Sequence, residues 1–245
     1  MIQRIFIIMG IATMLFACKS NSNETQSNTP EEQPVEKVKA VSLYNYSKYG
    51  LGVYKDMANL KKSIAHIKLG EEITSMGITA VDTSSEKKRE YLKVELSDGT
   101  QGWCYANYVI PNSYPGVIVE ATPVYERPDI LTKMAKKEYA ELEIVAVMES
   151  KGEWLKVKGI NLMKEGWINK KSISNKKEEV ASAIMARYEI FDVKGNLKEE
   201  NIKKFVESAP YPNTMVISTI REMMSPEDEA ADEELIIGEA EEEGV

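Results

Sequence analysis

One thiol and one imidazole in the body of this chain could form a nucleophilic pair: Cys104 and His66, the chain's single histidine. A hydrolase of that kind needs the two groups within hydrogen-bond reach. Cys104 follows Gly102-Trp103, and the same dipeptide recurs as Gly166-Trp167, followed by Ile168. A position filled once by Cys and once by Ile reads as a small apolar strand residue. His66 reads as a strand-surface residue, because a lone His cannot build a zinc site without companions at ligand spacing. Asp192-Val193-Lys194-Gly195-Asn196 has some calcium-loop composition, but Lys194 stands where an oxygen ligand belongs and Gly falls fourth rather than sixth. It reads as a helix–helix turn. The sequence has no phosphate-binding glycine loop and no serine-nucleophile motif. It therefore predicts no catalytic residue, no metal ligand and no cofactor, and the chain is read as not an enzyme.

The aromatic residues are the remaining candidates for binding chemistry. Trp103 and Trp167 are shared by two similar segments, and Tyr91 and Trp154 occupy one matching place. Shared aromatics are core or hairpin packing first and ligand contacts second. Tyr54, Tyr105, Tyr108 and Tyr125 are better surface candidates, because tyrosine pairs a flat apolar face with a hydroxyl. These eight residues form the candidate ligand-binding set. A small barrel fills its interior with side chains, so a ligand must lie on its surface or between the two copies.

The elements that position these residues come from an internal repeat. Val53-Tyr54 parallels Val124-Tyr125, Leu60 parallels Leu131, and Glu72-Ile73 parallels Glu143-Ile144, all at one offset. Farther on, Tyr91-Leu92-Lys93-Val94 parallels Trp154-Leu155-Lys156-Val157 at a shorter offset. The first copy thus carries extra residues between these blocks, in the polar stretch from Gly77 to Arg89. Surface loops accept such insertions at small entropic cost. Tyr91 to Leu96 alternates as a half-buried strand does. Asp98-Gly99 then marks a tight turn, and Gln101 to Tyr105 returns. Short strands cut by turns predict small barrels.

The run of an early Val-Tyr, a Gly-Glu-Glu-Ile element, an aromatic-Leu-Lys-Val strand, a tight turn, Gly-Trp and a closing Tyr108-Val109-Ile110 resembles the bacterial SH3-like domain. The resemblance implies a mainly β fold with two SH3-like barrels in tandem, 40–111 and 115–174, joined by a short link. A helical region at 175–224 and an acidic tail at 225–245 follow. Members of that family bind peptidoglycan, peptides or partner proteins. The short link leaves little slack, so the two barrels are expected to touch and to leave a groove between them.

The helical region shows Val180, Ile184, Tyr188 and Phe191 on one stripe. Asn196 with Glu199 reads as a helix start, and Asn213 as the cap of a third helix. About fifty residues make too little core to stand alone. The region is therefore expected to pack on the second repeat or on a partner.

The two ends of the chain differ from its body. Arg4 is followed by the short apolar stretch from Ile5 to Phe16 and then Ala17-Cys18. The stretch is too short to span a bilayer and has the layout of a secretory signal. With a cysteine at the cut, it resembles the lipobox of bacterial lipoproteins. That resemblance implies removal of 1–17, lipidation of Cys18 and a membrane anchor through acyl chains. Lys19 rather than Asp follows the cysteine, which in the lipoprotein sorting rule favours the outer membrane. Residues 18–39 read as a disordered tether, because the polar stretch has nothing to bury.

The whole chain carries a net charge of −8, and the last twenty residues hold ten Asp or Glu and no Lys or Arg. The body is thus almost neutral. The tail is either a solvated appendage or a dock for a basic partner. No basic stripe argues for nucleic acid.

Two functional readings follow. In the first, an envelope lipoprotein binds a cell-wall element or an extended peptide through its tandem modules. In the second, an assembly protein engages an envelope or host protein through its helical region and tail.

Overall fold

The computed structural model describes residues 36–84, 86–192 and 194–224. The signal segment, Cys18, most of the tether and the acidic tail lie outside the described residues. Among the described residues the fold is mainly β, with two antiparallel sheets and three short α-helices.

The first sheet contains β1 (Val38–Ser42), β2 (Leu51–Tyr54), β3 (Ser63–Ile67), β4 (Glu72–Asp82), β5 (Arg89–Glu95), β6 (Gln101–Tyr105) and β7 (Val109–Pro111). The second contains β8 (Tyr114–Ile118), β9 (Thr122–Tyr125), β10 (Lys133–Tyr139), β11 (Ile144–Lys151), β12 (Trp154–Gly159), β13 (Glu165–Asn169) and β14 (Ile173–Ser174). The strand orders are β3-β2-β6-β5-β4-β1-β7 and β10-β9-β13-β12-β11-β8-β14. Moving seven strands along the chain converts one order into the other, so the sequence repeat is also a repeat of topology. The extra residues of the first copy lengthen its β4–β5 hairpin, which pairs out to Asp82 and Arg89. The matching hairpin turns tightly between Lys151 and Trp154.

The Gly-Trp dipeptide has a steric cause that is the same in both copies. Tyr54 pairs with Trp103, and Tyr125 with Trp167. These pairs bring the strands so close that a Cβ on Gly102 would sit 2.6 Å from the Tyr54 carbonyl oxygen. A Cβ on Gly166 would sit 2.4 Å from Val124 Cγ1 and 2.8 Å from the Tyr125 carbonyl oxygen. Only a residue without Cβ fits at either place.

The expectation of closed barrels is corrected. Closure would require β3 to pair with β7, and β10 with β14, yet each ladder ends at those strands. The end strands β7 and β14 have three and two residues. Pro111, the last residue of β7, has no N–H to donate to a further strand. Each repeat is therefore an open, curled sheet around its own apolar core. Ala40, Val53, Ile67, Leu92, Val94 and Cys104 fill the first core, and Val124, Tyr139, Val145, Leu155 and Ile168 fill the second.

A third apolar cluster joins everything. It takes Val41, Leu43, Leu69 and Ile110 from the first sheet region and Val117, Ile144 and Ala146 from the second. The helices α1 (Lys177–Glu189), α2 (Ile202–Ser208) and α3 (Met215–Glu222) supply Val180, Ala183, Ala186, Phe205, Ile217 and Ile220. The helical region thus packs on both repeats rather than on the second alone. The buried line of α1 runs through Val180, Ala183 and Ala186, with Ile184 and Tyr188 at its margin. Phe191 lies past the helix end, bridged to Leu197. Thr214, rather than Asn213, caps α3, accepting from the Ile217 amide at 3.3 Å. Asn196 caps no helix; its amide and side chain instead donate to Asp192.

Candidate functional site

The site grows from alternation along β5 and β6. Successive strand residues point to opposite faces, so with Leu92 and Cys104 turned into the core, Tyr91, Trp103 and Tyr105 take the other face. Tyr91 and Tyr105 are register partners. Tyr54 at the end of β2 and Tyr108, in the turn after β6, extend the set. Two residues not singled out from sequence, Tyr44 and Tyr46, follow directly after β1 and complete it.

The six tyrosines form one continuous row. From Tyr46 the ring centroids step 5.6 Å to Tyr44, 5.0 Å to Tyr108, 5.5 Å to Tyr105, 6.0 Å to Tyr91 and 6.3 Å to Tyr54. Most of these contacts are edge-on, the geometry that the ring quadrupole favours. Exposure ranges from Tyr91 at 6% to Tyr46 at 67%, with the other four half-buried. Tyr105 Oη accepts from Asn107 Nδ2 at 2.9 Å. Burial raises the Tyr91 and Tyr108 phenols above their ordinary range, and the neighbouring tyrosines push Tyr108 further in the same direction. Both hydroxyls therefore stay protonated and able to donate. A row of flat apolar faces edged with hydroxyls can hold sugar rings or an extended peptide. It ends at β2, beside the edge strand β3, whose Ile64 is half exposed.

The second repeat keeps only part of this face. Tyr125 packs edge-on against Trp154 at 4.9 Å, and Trp167 is buried at 8% exposure. Asn169 and Ser172 stand where the first repeat has Tyr105 and Tyr108, so the row stops there. The signal that could have located Tyr44 and Tyr46 is their spacing of two just past a strand.

Between the repeats runs a groove of about 460 Å³, lined by Gly70, Glu71, Glu72, Tyr114, Pro115 and α1 residues including Val180 and Ile184. Burial raises the Glu71 carboxyl above its ordinary range, although the Lys68 amide donates to it at 2.8 Å.

The thiol and imidazole are not brought together. Cys104 is fully buried on β6, and burial pushes its thiol up to about 12. His66 is exposed on β3, on the far side of β2, with Nε2 3.2 Å from Ser63 Oγ. The Asp192 oxygens accept from the Lys194 and Asn196 amides and from Asn196 Nδ2. Those bonds hold the carboxyl below its usual range and account for the loop as a turn. Among the described residues no group of three His, Cys, Asp or Glu could hold a metal ion. No helix among them is long and apolar enough to cross a membrane.

No family model matches the chain, and no curated protein does. Solved structures that it is similar to include NlpC1 from Trichomonas vaginalis, at 10% identity and a TM-score of 0.25 over 71% of this chain and 53% of that one. NlpC2 from the same organism has the same identity and TM-score, over 64% of this chain and 57% of that one. The chain spans about half the length of these structures. Those neighbours are NlpC/P60 proteins, a family of cell-wall peptidases, and the reading of this chain as not an enzyme is withdrawn. That reading had rested on missing residue pairs, and an absence of recognisable residues does not exclude an activity.

Proposed function

We propose that the chain is an envelope protein whose tandem SH3-like modules bind a cell-wall element or an extended peptide. The observation that carries this reading is the continuous tyrosine row on the first module. Loose surface tyrosines would each have to be ordered by a ligand, whereas this row is already fixed by ring contacts and by the core beneath it. An extended chain laid along the row could also add main-chain hydrogen bonds at the β3 edge. Lipidation of Cys18 would hold the module at a membrane, with the outer membrane favoured. Two or more acyl chains suffice for stable anchoring.

Retention on purified cell wall tests the binding half. Replacing Tyr46 and Tyr105 with Ala should weaken retention at least about tenfold, equivalent to about 1.4 kcal/mol. Tyr211→Ala, outside the row, serves as the control. Unchanged retention of the double variant would remove the row from the binding surface. Loss of membrane partitioning in Cys18→Ala tests the anchor separately.

A further inference from the structure

The segment that leaves β1 has two sides. Tyr44 and Tyr46 begin the aromatic row, while the alternate residues Asn45 and Ser47, with Lys48, line a different space. That space is a cavity of about 290 Å³ closed from the other side by the end of α1 and the turn after it. Arg187, Tyr188, Phe191, Asp192 and Lys198 complete the lining. Three cationic side chains and one acid therefore surround a small cavity floored by two aromatic rings.

The single acid is already committed. Both Asp192 oxygens accept hydrogen bonds from amide groups of its own turn. Arg187 is fixed by donation to the Asp192 carbonyl. Tyr188 is fixed as well, its Oη accepting from the Leu69 amide at 2.8 Å. Lys48 and Lys198 take no part in the ion pairs found among the described residues. The backbone of Lys198 is held by its amide, which donates to the Ile190 carbonyl at 2.8 Å. Lys48, whose ammonium lies 5.1 Å from the centroid of the neighbouring Tyr49 ring, and Lys198 thus line the cavity on opposite walls.

We infer that this cavity binds the carboxylate of the ligand whose body lies along the tyrosine row. The inference rests on the proposed binding function and adds the chemical class of the ligand's end. Ammonium and guanidinium groups form their strongest hydrogen bonds with such anions. The local balance favours a monoanion over a phosphate dianion. Asp192 and the negative end of the α1 dipole offset part of the cationic field, and Tyr188 and Phe191 suit an apolar body attached to a single charge.

Titration calorimetry of the full chain tests this with two probes: a soluble disaccharide–peptide fragment of cell wall ending in a free carboxylate, and the same fragment as its C-terminal amide. The acid should bind at least about tenfold more tightly than the amide. Lys48→Gln and Lys198→Gln should each remove most of that preference while leaving the amide's affinity unchanged. Inorganic phosphate at millimolar concentration should compete poorly. Equal binding of acid and amide, or a preference untouched by both lysine variants, overturns the carboxylate pocket and leaves the tyrosine row standing. Strong competition by phosphate overturns the assignment to a carboxylate. Failure of both probes to bind overturns the proposed function itself, and the pocket with it.

Discussion

Glu179 is a carboxylate at 5% exposure in the first turn of α1. It accepts from the Met215 amide at 2.9 Å and the Val216 amide at 3.1 Å. These are amides at the start of α3, which no helical carbonyl can satisfy. Thr214 takes the next one, from Ile217. One helix thus caps another through a buried charge, which fixes how α3 docks in the shared core. Glu179→Ala removes both acceptors. The Val216 bond is buried, so its amide would be left without a partner at a cost of about 1–3 kcal/mol. Met215 is exposed at 54%, so water can reach nearby and its share is smaller. The favourable placement of negative charge at a helix N-terminus adds about 0.3–1 kcal/mol. The expected loss is about 2–4 kcal/mol, and Glu179→Gln, which keeps one acceptor, should lose about half as much. Urea denaturation followed by far-ultraviolet circular dichroism measures both, with the exposed neighbour Glu178→Ala as control. If Glu179→Ala costs no more than Glu178→Ala, the carboxylate does not hold α3 and the argument fails.

Three further outcomes follow from the packing of the first repeat. Gly102→Ala drives a methyl to within 2.6 Å of the Tyr54 carbonyl oxygen and of Val53 Cγ1. It should cost about 3 kcal/mol or more by forcing the core apart, which a shifted urea midpoint would reveal. Gly99→Ala meets no atom within 4 Å but must hold a φ of +82°, so its cost should stay near 1 kcal/mol. Cys104, with its thiol buried and raised to about 12, should resist Ellman's reagent at pH 8 in the native chain and react in full in denaturant. Fast labelling of the native protein would mean that the first core is open to solvent.

What the sequence revealed was local. The Asp98-Gly99 turn holds a hairpin through a Leu96 amide to Thr100 carbonyl bond at 2.9 Å, and every residue of that device is adjacent in the chain. The repeat was visible because matching strands keep matching residues, and the shared strand order shows what those residues preserve. Strand closure was not legible, because it depends on whether β3 and β7, distant in the chain, meet. The place of Trp103 was also hidden. Its recurrence suggested a core residue, yet its neighbour Cys104 takes the inward position and turns Trp103 to the other face. The tyrosine row draws on five separate segments, so no single window of sequence contains it. The buried line of α1 is a fraction of a turn from the expected stripe, because small residues, Ala183 and Ala186, are fully buried beside Val180 while Ile184 and Tyr188 are only partly so.

The two repeats share a strand order but differ on their outer faces. In the first, the outer face carries Tyr105 and Tyr108; in the second, the matching places hold Asn169 and Ser172, and the aromatic row does not extend through them. The second repeat instead offers Val117, Ile144 and Ala146 to the helices, while Leu69 and Leu43 of the first reach the same cluster. That arrangement ties the end of α1 to the turn between β3 and β4 through the bond from the Leu69 amide to Tyr188 Oη, and the same turn is bonded to the end of β1 by the Gly70 amide, which donates to the Ser42 carbonyl at 2.7 Å. The segment carrying Tyr44 and Tyr46 is therefore held by the aromatic row along one side and at its start by Leu43, buried in the cluster shared with the helices. Bracing of this kind removes ordering entropy that a ligand would otherwise have to supply. On the proposed function, the helical region, which has no row of its own, helps to hold the face that binds.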